Sequence, residues 1–107
     1  MIDDKDVDEA VHWLMNSADI IATAKATLVY LEEYRKSLKA QIMKEYGDMS
    51  VSAQEREAYA SERMIEHIKA IQKATYNYER LRFKREAQMA KIETWRTYHA
   101  NLRAVKL

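Results

Sequence analysis

The chain has 107 residues, a single glycine, no proline and no cysteine. That excludes a glycine-rich phosphate loop, a nucleophile elbow, a disulfide framework and a thiolate metal site. Hydrophobic residues at 48% and charged ones at 33% exclude a low-hydrophobicity disordered tail, and the richness in Ala, Glu, Lys, Arg, Leu and Ile points to an all-α protein.

The first predicted element is a long helix over about residues 4–46. Apolar side chains recur at Val7, Val11, Leu14, Ala18, Ile21, Leu28, Leu31, Leu38, Ile42 and Tyr46. Steps of three, four and seven place them on one helical face, close to a heptad seam. Asp3, Asp4 and Asp6 stand where a helix start favours negative charge. Asn16 or Ser17 can serve as an internal N-cap, so the helix splits near residue 16 into a short piece and a long one. Gly47 follows Tyr46, where a left-handed residue would end the helix.

A turn is expected over 47–52. Ser52 and Glu55 then have capping-box spacing and open a second helix over about 53–105. Its stripe runs Met64, Ile68, Ile71, Ala74, Tyr78, Leu81, Ile92, Trp95 and Leu102. At ~1.5 Å per residue such a helix is about 80 Å long. The whole chain, 1–107, thus reads as one all-helical domain, a long antiparallel hairpin. Two helices cannot cover all of this apolar surface. The residues Trp13, Ile20, Tyr30 and Tyr34, off the main seam, together with Ile21 and Leu28 on it, mark the first helix as the place where copies pack into a homo-oligomer.

Charge is uneven along the chain. Residues 1–24 hold one Lys against six acids, whereas residues 69–107 hold ten Lys or Arg against three. Either the two ends neutralise each other side by side or the basic end meets an anionic ligand. No apolar run is long and clean enough for a membrane span, because Asp19 and Lys25 interrupt the best one. The acidic N-terminal segment is the reverse of a secretory signal. These features give the expectation of a cytoplasmic protein without a membrane partner.

The catalytic inventory is sparse. His12, His67 and His99 form neither a His-Glu-x-x-His motif nor an i,i+4 pair, and read as surface or seam residues. Most acids have a basic residue three or four positions away and read as solvated helix surface. No enzyme, metal or cofactor is expected. What remains is basic and aromatic. Residues 76–85 carry four basic side chains, including Arg80 and Lys84, and three aromatic ones. Arg35, Lys36, Lys39 and Lys44 form a smaller cluster on the first helix. Such residues can meet phosphates, with aromatic faces stacking unpaired bases, or can be ordinary solvated charges. Lys39, about 100° around the helix from Leu38, is expected to face solvent.

The sequence resembles the UvsY-type recombination mediators of tailed phages. The matching stretches are Leu38-Lys39-Ala40, Tyr46-Gly47-Asp48, the Ser- and acid-rich restart Ser50 to Glu57, Ala90-Lys91-Ile92 and the terminal Asn101-Leu102-Arg103-Ala104. It is also similar to small helical proteins from recombination and replication regions of temperate phages. The likeness covers most of residues 18–105. It implies a ring-forming helical protein that binds single-stranded DNA and helps a RecA-like recombinase displace a single-strand-binding protein inside a bacterial host. Lys39 is the basic position that carries over, while Gln41 stands where a second is expected. The alternative is a coiled-coil adaptor, or an inhibitor of a host enzyme, with no DNA contact. A structural subunit of a larger assembly is a third possibility.

Overall fold

The computed structural model describes residues 1–106. The described chain is all-helical: α1 (Asp4–Asn16), α2 (Ala18–Glu45), α3 (Val51–Ala60) and α4 (Glu62–Lys106). Helix accounts for 90% of the chain. Among the described residues there is no strand, and no helix is long and apolar enough to cross a membrane.

Each boundary has a local cause. Asp3 caps α1: its carboxylate accepts from the Asp6 backbone N–H at 2.8 Å, and Asp6 returns the bond to the Asp3 N–H at 3.0 Å. The expected split of the first helix falls at Ser17, which is buried and whose carbonyl accepts the first bond of α2, from Ile21. Because Ser17 keeps near-helical angles, φ −101° and ψ −4°, the interruption is a single residue. Asn16 reaches back instead, donating from Nδ2 to the His12 carbonyl at 2.7 Å.

The turn after α2 differs from the expected left-handed ending. Gly47 has no positive φ. Tight i→i+3 bonds, Tyr46 N–H to Met43 and Met49 N–H to Tyr46, carry the chain around in its place. The next helix begins two residues earlier than the Ser52 capping box predicts. Ser50 is the N-cap, accepting from the Ala53 N–H at 3.3 Å, and Gln54 donates to the Met49 carbonyl at 3.0 Å. The second helix is not continuous either. Ser61 adopts an extended conformation, φ −65° and ψ 138°, and divides 53–105 into α3 and α4. Its hydroxyl accepts from the Arg63 N–H and its carbonyl from the Ile65 N–H, so this serine ends one helix and caps the next. The apolar stripe begins only at Met64, beyond Ser61, so it carried no sign of the break.

The chain divides into two compact units. One brings Met1–Ala22 together with α4 from Glu79 onward. There α1 and α4 run antiparallel: the Trp95 indole N–H donates to the Asp4 carboxylate at 2.9 Å, and the Lys84 ammonium lies 5.0 Å over the Trp13 ring. Ala10, Ser17 and Leu81 are buried in this unit.

The other unit is Thr23–Tyr78. Here the rest of α2, α3 and the first turns of α4 enclose a small core of Leu38, Ile42, Ala58 and Met64, against which Tyr34, Met43 and Tyr46 pack. Ala58, fully buried, lets α3 lie close on the core. An ion pair between Arg63 and Glu45 closes one end, and the Lys25 ammonium lies 4.9 Å over the Tyr78 ring at the other. The seam residue Leu28 is buried, but Ile68, which the stripe places inward, is 47% exposed. Two helices and a short third cover less than the full stripe.

Candidate nucleic-acid interface

The basic residues singled out by the sequence fall into both units. Arg35, Lys36, Lys39 and Lys44 lie on α2 within Thr23–Tyr78, while Arg80 and Lys84 lie on α4 in the other unit. Arg35 and Lys44 are exposed and have no ion pair within the described residues. Lys44 sits in the last turn of α2, where cations are favoured by the unsatisfied carbonyls. Lys36 bridges to Glu33 at 3.3 Å, both side chains being largely in water. Such exposed i,i+3 pairs contribute about 0–1 kcal/mol and leave the lysine open to exchange.

Lys39 departs from the expectation of a freely solvated side chain. Its ammonium lies 3.7 Å from Glu55 Oε1 and 5.0 Å from the centre of the Tyr59 ring, both on α3. Its side chain is only 29% exposed. Tyr59 and, after it, the Glu55 carboxylate hold the ammonium above the usual lysine range, against the opposing effect of partial burial. The reason is α3 itself. With Ala58 buried against Ile42 and Met64, the flank of α3 that carries Glu55 and Tyr59 stands beside Lys39. The sequence disguised these two residues, since Glu55 fits a capping box with Ser52 and Tyr59 an ordinary helix surface.

In the other unit, Lys84 is exposed above Trp13. Arg82, its neighbour, joins Glu79 at 2.7 Å and Glu86 at 3.4 Å. Arg80 is exposed on the same helix.

No family model, curated protein or solved structure matches this chain.

The residues expected at an oligomer interface are placed unevenly. Leu28 is buried within the chain. Tyr34 is half-buried between the Tyr30 ring, stacked at 5.9 Å, and the His67 ring at 5.5 Å. Trp13 is half-covered by Lys84, and Ile21 is half-buried. Ile20 and Tyr30 are exposed, at 57% and 64%. Among the described residues no group of three or more His, Asp or Glu side chains comes close enough to hold a metal ion. Each histidine makes a local structural contact: His12 with Asn16, His67 with Leu31 and Tyr34, and His99 with Trp95 and Tyr98.

Proposed function

We propose that this chain is a non-enzymatic recombination mediator of the UvsY type, which binds single-stranded DNA and assists a RecA-like recombinase against a single-strand-binding protein. The observation that carries this reading is the set of cations along α2: Arg35 and Lys44 are exposed without ion pairs, and Lys36 is held only by an exposed glutamate. Phosphates can replace water at Arg35 and Lys44 and the exposed Glu33 carboxylate at Lys36. Arg80 and Lys84 on α4 are the second set of contacts. On this reading the helices form a long antiparallel hairpin, copies associate through the first helix using the exposed Ile20 and Tyr30, and the assembly works in the cytoplasm of a bacterial host. Repetition of weak contacts around an oligomer raises avidity through effective concentration.

Titration of a labelled single-stranded oligonucleotide at two salt concentrations tests the reading. Binding that weakens steeply with salt supports it, and no binding at low salt overturns it.

A protein–protein adaptor is the second reading. What favours it is the face of α4 that carries Ile65, Ile68 and Tyr76, all exposed, at i, i+3 and i+11 on one side of the helix. Light scattering together with the same titration separates the two: association without DNA binding supports the adaptor.

A further inference from the structure

We propose that Lys39, Tyr59 and Glu55 form a gated phosphodiester site, in which the Glu55 carboxylate holds the place of a phosphate until single-stranded nucleic acid displaces it. This inference rests on the single-strand-binding reading given above.

The geometry supplies three parts. The first is a cation already engaged by an anion: Glu55 Oε1 stands 3.7 Å from the Lys39 ammonium. A phosphate oxygen offers the ammonium the same kind of contact, and a chain of phosphates offers several at once. The second is a weak closure. Glu55 keeps 47% of its side chain in water, so the carboxylate can leave by changing rotamer while Ala58 stays in the core. The third is a stacking surface. The Tyr59 ring lies under the ammonium, yet the residue is 56% exposed and offers an open edge and face to a base. Arg35, one turn before Lys39 on α2, is exposed and adds attraction for the neighbouring phosphate.

The arrangement makes Lys39 selective. An isolated carboxylate in solution must compete with one already tethered beside the ammonium, and loses. A polyanion with an unpaired base gains the ammonium, Arg35 and the Tyr59 ring together. Lys39 is thus shielded from the acidic surfaces of other proteins and from the chain's own acidic segment, but open to single strands.

The test uses the full chain with three labelled or competing probes at two salt concentrations: oligothymidylate, an abasic phosphodiester chain of equal length, and inorganic polyphosphate. Glu55→Gln is expected to bind oligothymidylate about three- to tenfold more tightly than the wild type, because a tethered competitor is removed. Its salt dependence steepens by about 0.7 in log–log slope, one added single-strand phosphate contact. Glu57→Gln changes net charge equally and is expected to shift affinity far less. In Lys39→Gln the Glu55→Gln gain disappears. Tyr59→Leu weakens oligothymidylate at least about fivefold and leaves the abasic chain and polyphosphate unchanged.

Wild-type binding with equal affinities for Glu55→Gln and Glu57→Gln overturns the gate and leaves single-strand binding standing. A Glu55→Gln gain that survives in the Lys39→Gln background overturns it as well. Equal losses of all three probes in Tyr59→Leu overturn the stacking role. If neither wild type nor Glu55→Gln binds oligothymidylate at low salt, the single-strand reading itself fails. Polyphosphate binding alone would then assign the site to a free polyanion and overturn the nucleic-acid proposal. Unchanged amide-exchange protection of α3 in Glu55→Gln excludes unfolding as the source of any change.

Discussion

The His67 imidazole is bonded to the Leu31 main chain across two helices: Nε2 lies 2.7 Å from the carbonyl oxygen. A carbonyl only accepts, so Nε2 is the donor in this bond. The same ring lies 5.5 Å from Tyr34, tilted by 53°. His67 therefore ties α4 to α2 by a directional bond as well as by packing. His67→Phe retains a ring beside Tyr34 but lacks the donor, and should lose about 0.5–1.5 kcal/mol of stability in urea unfolding. His67→Ala, which also removes the ring contact, should lose more. Equal stability of His67→Phe and wild type would show the bond to be energetically silent.

Gly47 offers a test with the opposite sign from the usual glycine substitution. Its φ is not positive, and an added Cβ would meet only the Lys44 carbonyl oxygen at 3.4 Å. Gly47→Ala is therefore expected to be neutral or to stabilise by about 0.4–1 kcal/mol, by restricting the unfolded chain. A left-handed glycine would give a clear loss instead. Thermal unfolding of this one variant distinguishes the two.

Periodicity made the helices legible, and the breaks were harder to read for a physical reason. The split at Ser17 was visible because Asn and Ser are cap formers set in an otherwise apolar face. The break at Ser61 has the same chemistry, but Ser52 and Glu55 offered an earlier start signal and the stripe of Met64, Ile68 and Ile71 begins only beyond Ser61. Hydrophobic spacing tolerates one extended residue between two helices when both pack on the same core. The basic cluster on α2 was visible as composition, yet the state of Lys39 was not. It depends on Glu55 and Tyr59, 16 and 20 positions away, and on the small side chain of Ala58 that seats α3. A pattern within one helix cannot report a contact made by another.

The small core should respond steeply. Ile42 and Met64 are almost fully buried, at 1% and 0% exposure, and both touch the same cluster. Ile42→Ala and Met64→Ala should each cost about 2–5 kcal/mol. Ile21→Ala, at a half-buried position, should cost less. Because Ile42 and Met64 belong to the same packed core cluster, the double variant should depart from additivity by more than about 0.5 kcal/mol. Chemical denaturation of the singles and the double measures this directly.

Acid should loosen the start of α1. The Asp3 backbone N–H, with smaller help from Lys91 and the chain's amino terminus, holds the Asp6 carboxyl below the usual aspartate value. A carboxyl lowered on folding contributes stability above its unfolded pKa, near 3.8, and that stability is lost as pH falls through the lower folded value. Helicity and amide-exchange protection of the first turn should therefore decline in strong acid. Asp6→Asn can still accept from Asp3 but carries no charge, so its profile should be flatter there. A decline of equal depth in the Asn variant would assign the acid sensitivity to other groups.

The α2 cations bear the final prediction. A variant with Arg35, Lys36 and Lys44 all changed to Ala removes three exposed charges and no core atom. Helix content and assembly size should stay as in the wild type, since the lost Lys36–Glu33 pair is exposed and contributes little. If the three residues meet phosphates, single-strand affinity should fall for all sequences alike. The log–log salt slope should flatten by about 2, at roughly 0.7 per contact. The effect should be separable from Glu55→Gln, which acts through Lys39 and shifts affinity upward. Unchanged affinity in the triple variant would leave the site to Lys39 with Tyr59 or to Arg80 and Lys84 on α4, and adding Lys39→Gln to the variant separates these two. Affinity lost in step with assembly would instead make these cations part of the contact between copies, a distinction that light scattering on the same samples decides.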